Sequence, residues 1–205
     1  LTQTAGTVTL DGTQNAVLRV LGNAILQGTT VTGIGTASTL DVDGSITLAT
    51  TSVLDQALNH PTVIRCGGNW TSNANFRPAA GNVIFDGVAP QVVVTNHPSQ
   101  TSEWADLTIA AGTAVTFAPP LPMHVQGLLA LSASLSLAAP DLQFDGDLTI
   151  APGITLTAAT ATTLHVGGAL TVRGTIAAPG AKLLCDGACQ LEAGSTLQIG
   201  GATLG

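Results

Sequence analysis

A chain of 205 residues that is 45% hydrophobic has the apolar mass for a sizeable core, yet only 8% of it is charged and 3% aromatic, with no tyrosine, and globular domains usually carry about 25% charge. Its net charge of −7 stands against just five basic residues, Arg19, Arg65, Arg77, Arg173 and Lys182. That excludes nucleic-acid binding, which needs a basic stripe, and disfavours an anionic membrane surface.

The chain opens on LTQTAGTVTLDG, a strand-like stretch with no charge before Asp11. Leu1 in place of a methionine, with no basic-then-apolar leader, reads as a processed chain or part of a longer one. Next comes the pentapeptide apolar–x–apolar–x–Gly as LRVLG (18–22), then LDVDG (40–44) and IRCGG (64–68). Between the last two lies TSVLDQALNH (51–60), the best helical candidate, of one or two turns. Residues 50–62, with Asn59-His60-Pro61, and 95–106, with Asn96-His97-Pro98 and Trp104, read as excursions from the regular pattern. Further copies are VIFDG (83–87), MHVQG (123–127), LQFDG (142–146), LHVGG (164–168) and LLCDG (183–187). The glycines at 22, 44, 68, 87, 127, 146, 168 and 187 differ by 22, 24, 19, 40, 19, 22 and 19. The interval of 40 reads as two steps, with a divergent unit around Trp104 to Phe117. A longer match, LTIAAGTAVTFA (107–118) against LTIAPGITLTAA (148–159), again spans two units, and CQLEAGSTLQI (189–199) fits the same frame.

Within each unit the side chains alternate. In LPMHVQGLLALSASLSLAA (121–139) one face holds Met123, Val125, Gly127, Leu129, Leu131, Ala133, Leu135, Leu137 and Ala139. The window nears membrane-span length, but period two means half-buried strand. Residues 164–178 alternate likewise, with Gly168 and Gly174 on the inner face. Alternation at a constant period predicts an all-β fold: one domain over 1–205, a single-stranded parallel β-solenoid of about ten coils with a period of about 20 residues. The crossover rule makes it right-handed. Small residues belong at the corners, where an inward side chain would collide with the next wall. Ten coils at ~4.8 Å make a rod roughly 45–50 Å long. The competing fold, an antiparallel sandwich, needs no constant phase.

Stacking turns equivalent positions into ladders. The outward second position of the pentapeptide reads Arg19, Asp41, Arg65, Ile84, one unread coil, His124, Gln143, His165, Leu184. Arg19–Asp41–Arg65 alternates charge, a cross-strand pattern. His124 and His165, two coils apart at ~9–10 Å, cannot share a zinc ion whose ligands lie ~2 Å from the metal. Asp-Gly pairs at 11–12, 43–44, 86–87, 145–146 and 186–187 are turn formers; stacked, they are also candidate calcium ligands, though broken by Leu21, Gly67, Gln126 and Gly167. Without that calcium the chain needs no cofactor. No catalytic residues are assigned: with one lysine and no tyrosine a polysaccharide-cleaving groove is hard to assemble, although Asp41 and Asp43, two apart on one strand, could point the same way as a carboxylate pair. Three cysteines make no disulfide framework. Cys185 and Cys189, inward on either side of Gly187, suit either a disulfide or buried thiols, while Cys66 lies about six coils from Cys185. Threonine-rich segments suggest an ice-binding array, but the threonines keep no fixed phase.

GGNWTSNANFRPAAGNVIFDG (67–87) resembles a repeat of large secreted bacterial surface proteins, through Trp70, Asn73, Phe76, Pro78, Gly81, Val83, Phe85 and Gly87, with Ala74 in place of the usual glycine. The flanking coils resemble β-helical adhesin or filamentous-haemagglutinin-like repeats. The resemblance covers about a tenth of the chain and implies a long, extracellular or cell-surface, non-catalytic bacterial protein. Trp70 is expected to pack inside the coil beside Phe76 and Phe85.

The end segments carry strand-like, uncapped apolar residues: Leu1, Val8 and Leu10 at one end, Leu197, Ile199 and Leu204 at the other. Burying such a layer is worth on the order of 5–10 kcal/mol gross, so something should cover it. The functional expectation is an extracellular filament subunit or shaft segment whose partner is itself, head to tail, with no nucleic acid and no membrane insertion. The alternative is an adhesin holding surface glycans at the excursions around His60, His97 and Trp104.

Overall fold

Short strands of mostly three to five residues, with small residues at the corners between them, wind into coils, and the Asp-Gly pairs at 43–44, 86–87, 145–146 and 186–187 fall at corners rather than in hairpins. A computed structural model describes residues 1–10, 16–33, 38–56, 62–73, 75–78, 81–95, 102–110, 112, 114–118, 121–159 and 161–204. Among them every strand pairing is parallel and there is no helix. The chain is a parallel β-solenoid with a period of about 22 residues, slightly longer than expected.

Each coil has three walls. The first runs from Thr2–Gln3 through Ala24–Leu26, Ile46–Leu48, Trp70–Ser72, Gln91–Thr95, Val115–Phe117, Leu135–Leu137 and Thr155–Thr157 to Thr175–Cys185 and Thr196–Leu204. The third wall is a nine-stranded sheet from Val17–Val20 to Cys189–Leu191. The second is hydrogen-bonded in two parts. Gly6–Leu10, Thr29–Gly33, Val53–Gln56 and Asn75–Pro78 form a four-stranded sheet, and a separate ladder begins at Ser102–Trp104. Pro78 lies on the edge strand of the first part, where its missing N–H is tolerated.

The inward set is as alternation predicts. Met123, Val125, Leu129, Leu131, Ala133, Leu135, Leu137 and Ala139 are all buried, and so are Leu164, Val166, Leu170, Val172, Ile176 and Ala178. The repeat of 107–118 in 148–159 is exact in register, because Leu107 stacks on Leu129 and Leu129 on Leu148. Corners fall at Gly127, Ala133, Gly168 and Gly174. Where glycine holds the corner, the room it gives is axial rather than lateral. A methyl on Gly68 would meet the Gly44 carbonyl carbon at 2.7 Å, and one on Gly187 the Gly168 carbonyl carbon at 2.7 Å. The obstacle is the backbone one coil below, not the facing wall.

Three expectations are corrected. Residues 53–56 form a wall strand stacked between Thr29–Gly33 and Asn75–Pro78, not a helix; residues 57–61 lie outside the described residues. The second excursion likewise contains a wall strand, Ser102–Trp104, with 96–101 outside the described residues. Finally, the interval of 40 between Gly87 and Gly127 is not two coils. Gly22, Gly44, Gly68, Gly87 and Gly112 occupy the corner from third wall to first, whereas Gly127, Gly146, Gly168 and Gly187 occupy the corner from second wall to third. The pentapeptide changes corner between them. Both corners bring backbones together, so they select the same residue type.

At the level of that change sits an aromatic cluster. Trp70 and Trp104 are fully buried, with ring centroids 5.7 Å apart. Phe76 lies 5.3 Å from each, and Phe85 and Phe117 complete the group. The Phe76–Trp104 contact joins the two parts of the second wall where no ladder is described. Trp70 Nε1 makes no hydrogen bond; its neighbours Phe76, Phe85 and Trp104 pack edge to face around it.

Candidate functional site: an outer wall of paired acids and bases

Outward residues on successive coils are one strand spacing apart, ~4.8 Å, so a long side chain reaches the coil above. Because the pentapeptide changes corner, the expected single ladder is two. Arg19, Asp41, Arg65 and Ile84 stack on the third wall and continue into Thr108. Glu103, His124, Gln143, His165 and Leu184 stack on the second.

In both ladders the dominant contact is diagonal. The base at the second position of one pentapeptide reaches the aspartate at the fourth position of the next. Arg19 Nη2 lies 3.3 Å from Asp43, and Arg65 Nη2 lies 2.5 Å from Asp86. His124 Nε2 is 2.7 Å from Asp145 Oδ2, and His165 Nε2 is 2.8 Å from Asp186 Oδ2. The direct ladder contacts of Asp41, 3.6 Å to Arg19 and 3.9 Å to Arg65, are longer. The coils whose second position is basic carry Leu21, Gly67, Gln126 or Gly167 at the fourth. The coils with aspartate carry Asp41, Ile84, Gln143 or Leu184 at the second. Base and acid therefore alternate coil by coil, and the apparent gaps in the aspartate series are half of a two-coil repeat. Backbone capping follows the same step: Asp106 Oδ1 accepts the Leu128 N–H at 2.7 Å, and Asp147 Oδ1, 41 residues on, accepts the Ala169 N–H at 2.7 Å.

On the second wall this pattern frames a depression of about 360 Å³, lined on its polar side by His124, Gln143, His165, Asp141 and Thr163. Asp145, bonded to two of these side chains, is held below its ordinary 3.8, first by the Gln143 amide and then by His124; Gln143 Nε2 donates to Asp145 Oδ1 at 2.7 Å. The depression offers hydrogen-bonding groups at an axial repeat, suited to lying against an extended polar ligand. The Asp41–Asp43 pair raised by the sequence is drawn onto one guanidinium, that of Arg19, an arrangement for neutralisation rather than proton transfer.

The remaining sequence candidates fall as follows. Trp104, expected at a ligand-contacting loop, is 1% exposed and belongs to the core cluster, so its ring faces Trp70 and Phe76 rather than solvent. His60 and His97 lie outside the described residues. Trp70 packs beside Phe76 and Phe85 as expected. Cys185 and Cys189 are free thiols, as is Cys66, which burial pushes up to about 11. Among the described residues no group of three or more His, Cys, Asp or Glu side chains could hold a metal ion. Of the end residues, Leu1 is 48% exposed, while Val8, Leu197 and Ile199 are partly buried against the core. Leu10 and Leu204 lie in the strands Gly6–Leu10 and Thr196–Leu204. Sequence reasoning missed the diagonal pairs, although their signal, a base only where aspartate is lacking, is in the chain.

By fold and surface the molecule is a β-solenoid with a polar, cross-linked outer wall. No family model matches the chain, and no curated protein and no solved structure matches it.

Proposed function

We propose that the chain is an extracellular structural protein, a β-solenoid subunit or shaft segment that stacks end to end into a surface filament. The observation that supports this most is the open core at both terminal layers. The inward column that is fully covered at Val172 is half exposed one coil later at Leu191, and Leu197 and Ile199 are only partly covered. At the other end Leu18, the inward residue of the first third-wall strand, is only partly buried, whereas Leu40 stacked on it is 3% exposed. Among the described residues the outermost strands of each wall pair on one side only. Added coils, from the same polypeptide or a second copy, would continue parallel ladders and the apolar column together. The resemblance of residues 67–87 to secreted surface repeats agrees with this, and the role needs no catalytic centre, cofactor, metal, nucleic acid or membrane. Leu197→Lys with Ile199→Lys, placing charge in the terminal layer, should leave a folded monomer by circular dichroism and abolish assembly in sedimentation velocity. Unchanged sedimentation of the double variant would refute end-to-end stacking.

The second-wall depression supports the alternative, an adhesin or glycan-binding segment. In that case glycan-array binding should be lost in Gln143→Ala with assembly unaffected.

A further inference from the structure

At the corner between second and third walls, each later coil sets two inward side chains four residues apart against each other. They are Val125 and Leu129, Phe144 and Leu148, then Val166 and Leu170, all fully buried. In the next coil the same two places are Cys185 and Cys189, stacked in register on Val166 and Leu170. Gly187 lies between them, and the corner is as tight as those below it. The two thiols lie close enough to act on each other, and Cys185 donates to the Gly187 carbonyl at 3.4 Å. Cys185 is buried and Cys189 is half-buried, since no described strand lies beyond Cys189–Leu191 on the third wall. Cys66, by contrast, has Trp70 at the equivalent place across its corner and no thiol partner.

We propose that Cys185 and Cys189 are a redox-active pair, oxidised by a low-molecular-weight disulfide to an intrachain staple across the Gly187 corner. The inference stands apart from the assembly reading. Cys189, the more accessible thiol, attacks as thiolate one sulfur of the external disulfide, forming a mixed disulfide and releasing one small thiol. Cys185 then attacks the Cys189 sulfur; the mixed disulfide breaks, the second small thiol leaves, and the Sγ–Sγ bond forms. Two protein thiols are oxidised, one external disulfide is reduced, and the two protons go to the released thiolates. The staple joins the second wall to the outermost described strand of the third, an edge held by a ladder on one side only.

The test exposes the folded, reduced protein to oxidised glutathione, quenches with iodoacetamide in denaturant, and reads intact mass and peptide map. The expected product is lighter than reduced protein by two hydrogens before alkylation. It carries one alkylatable thiol, at Cys66, and a link between Cys185 and Cys189. Cys185→Ser should instead hold glutathione at position 189. Three alkylatable thiols after oxidation, a persistent glutathione adduct on the native sequence, or a link involving Cys66 would each overturn the proposal.

Discussion

Gly146 shows how one position fixes a corner. A methyl there would lie within 3.0 Å of the carbonyl oxygen, carbonyl carbon and Cα of Gly127, and the backbone beneath is held by ladders on both flanking walls. Gly146→Ala should therefore cost roughly 1–3 kcal/mol, the usual penalty of overpacking, measurable as a lower urea midpoint. Asp145 carries the clearest pH signature. Its carboxyl sits below its ordinary value because the Gln143 amide, then His124, favour the charged form. A depressed carboxyl contributes stability that is present above the unfolded pKa and is lost as pH falls through the folded one. Gln143→Ala should thus raise the Asp145 pKa in an NMR titration; an unmoved value would mean that the hydrogen bond from the Gln143 amide to Asp145 is not formed in solution. At this scale the sequence was legible where a residue's own alternation decides its fate, as for Leu164 to Ala178. It was opaque where a side chain such as His124 reaches a neighbour 21 residues away, since that requires the coil register first.

Strand elements were legible wherever the inward residues were apolar. The misread part of the helical candidate, 53–56, hides its alternation because the inward residue before it is polar. Ser52 is buried and donates from Oγ to the Leu26 carbonyl at 2.6 Å, while Val53 and Leu54, adjacent and apolar, mimic a helical face. The change of corner between Gly87 and Gly127 was invisible for a different reason: spacing counts residues, not walls. The aromatic cluster takes over where the second-wall ladder is split. Trp70→Ala, which empties the centre of that cluster, should cost about 3–5 kcal/mol and appear as a large drop in thermal midpoint. The two-coil alternation makes a further element-level prediction. Deleting the 41 residues 128–168 places His124 one coil below Asp186, as His165 is now, and keeps the base–acid diagonal. Deleting the single coil 147–168 leaves Asp186 without a base and Ala169 without its Asp147 cap. The 41-residue deletion should melt at the higher temperature of the two, although it removes more of the core. The reverse order would mean that the diagonal links contribute little beside coil number.

Across the whole molecule, three walls converge on a continuous apolar column, and the outside is tied coil to coil by short acid–base contacts. Exposed pairs of this kind contribute about 0.2–1 kcal/mol each. Their value lies in fixing register, because a one-residue slip would turn every inward side chain outward. Charge is spent on these links rather than on a basic or acidic face, which is how a chain with few charges keeps a defined outer surface. Among the described residues the column is only partly covered at Val8, Leu18 and Ile199 and half exposed at Leu191, and it is there that the proposed stacking acts. Electron microscopy of the purified chain over a concentration series tests this most directly. The account predicts unbranched rods one solenoid wide that lengthen with concentration. Particles of one fixed length, unchanged up to high concentration, would contradict it.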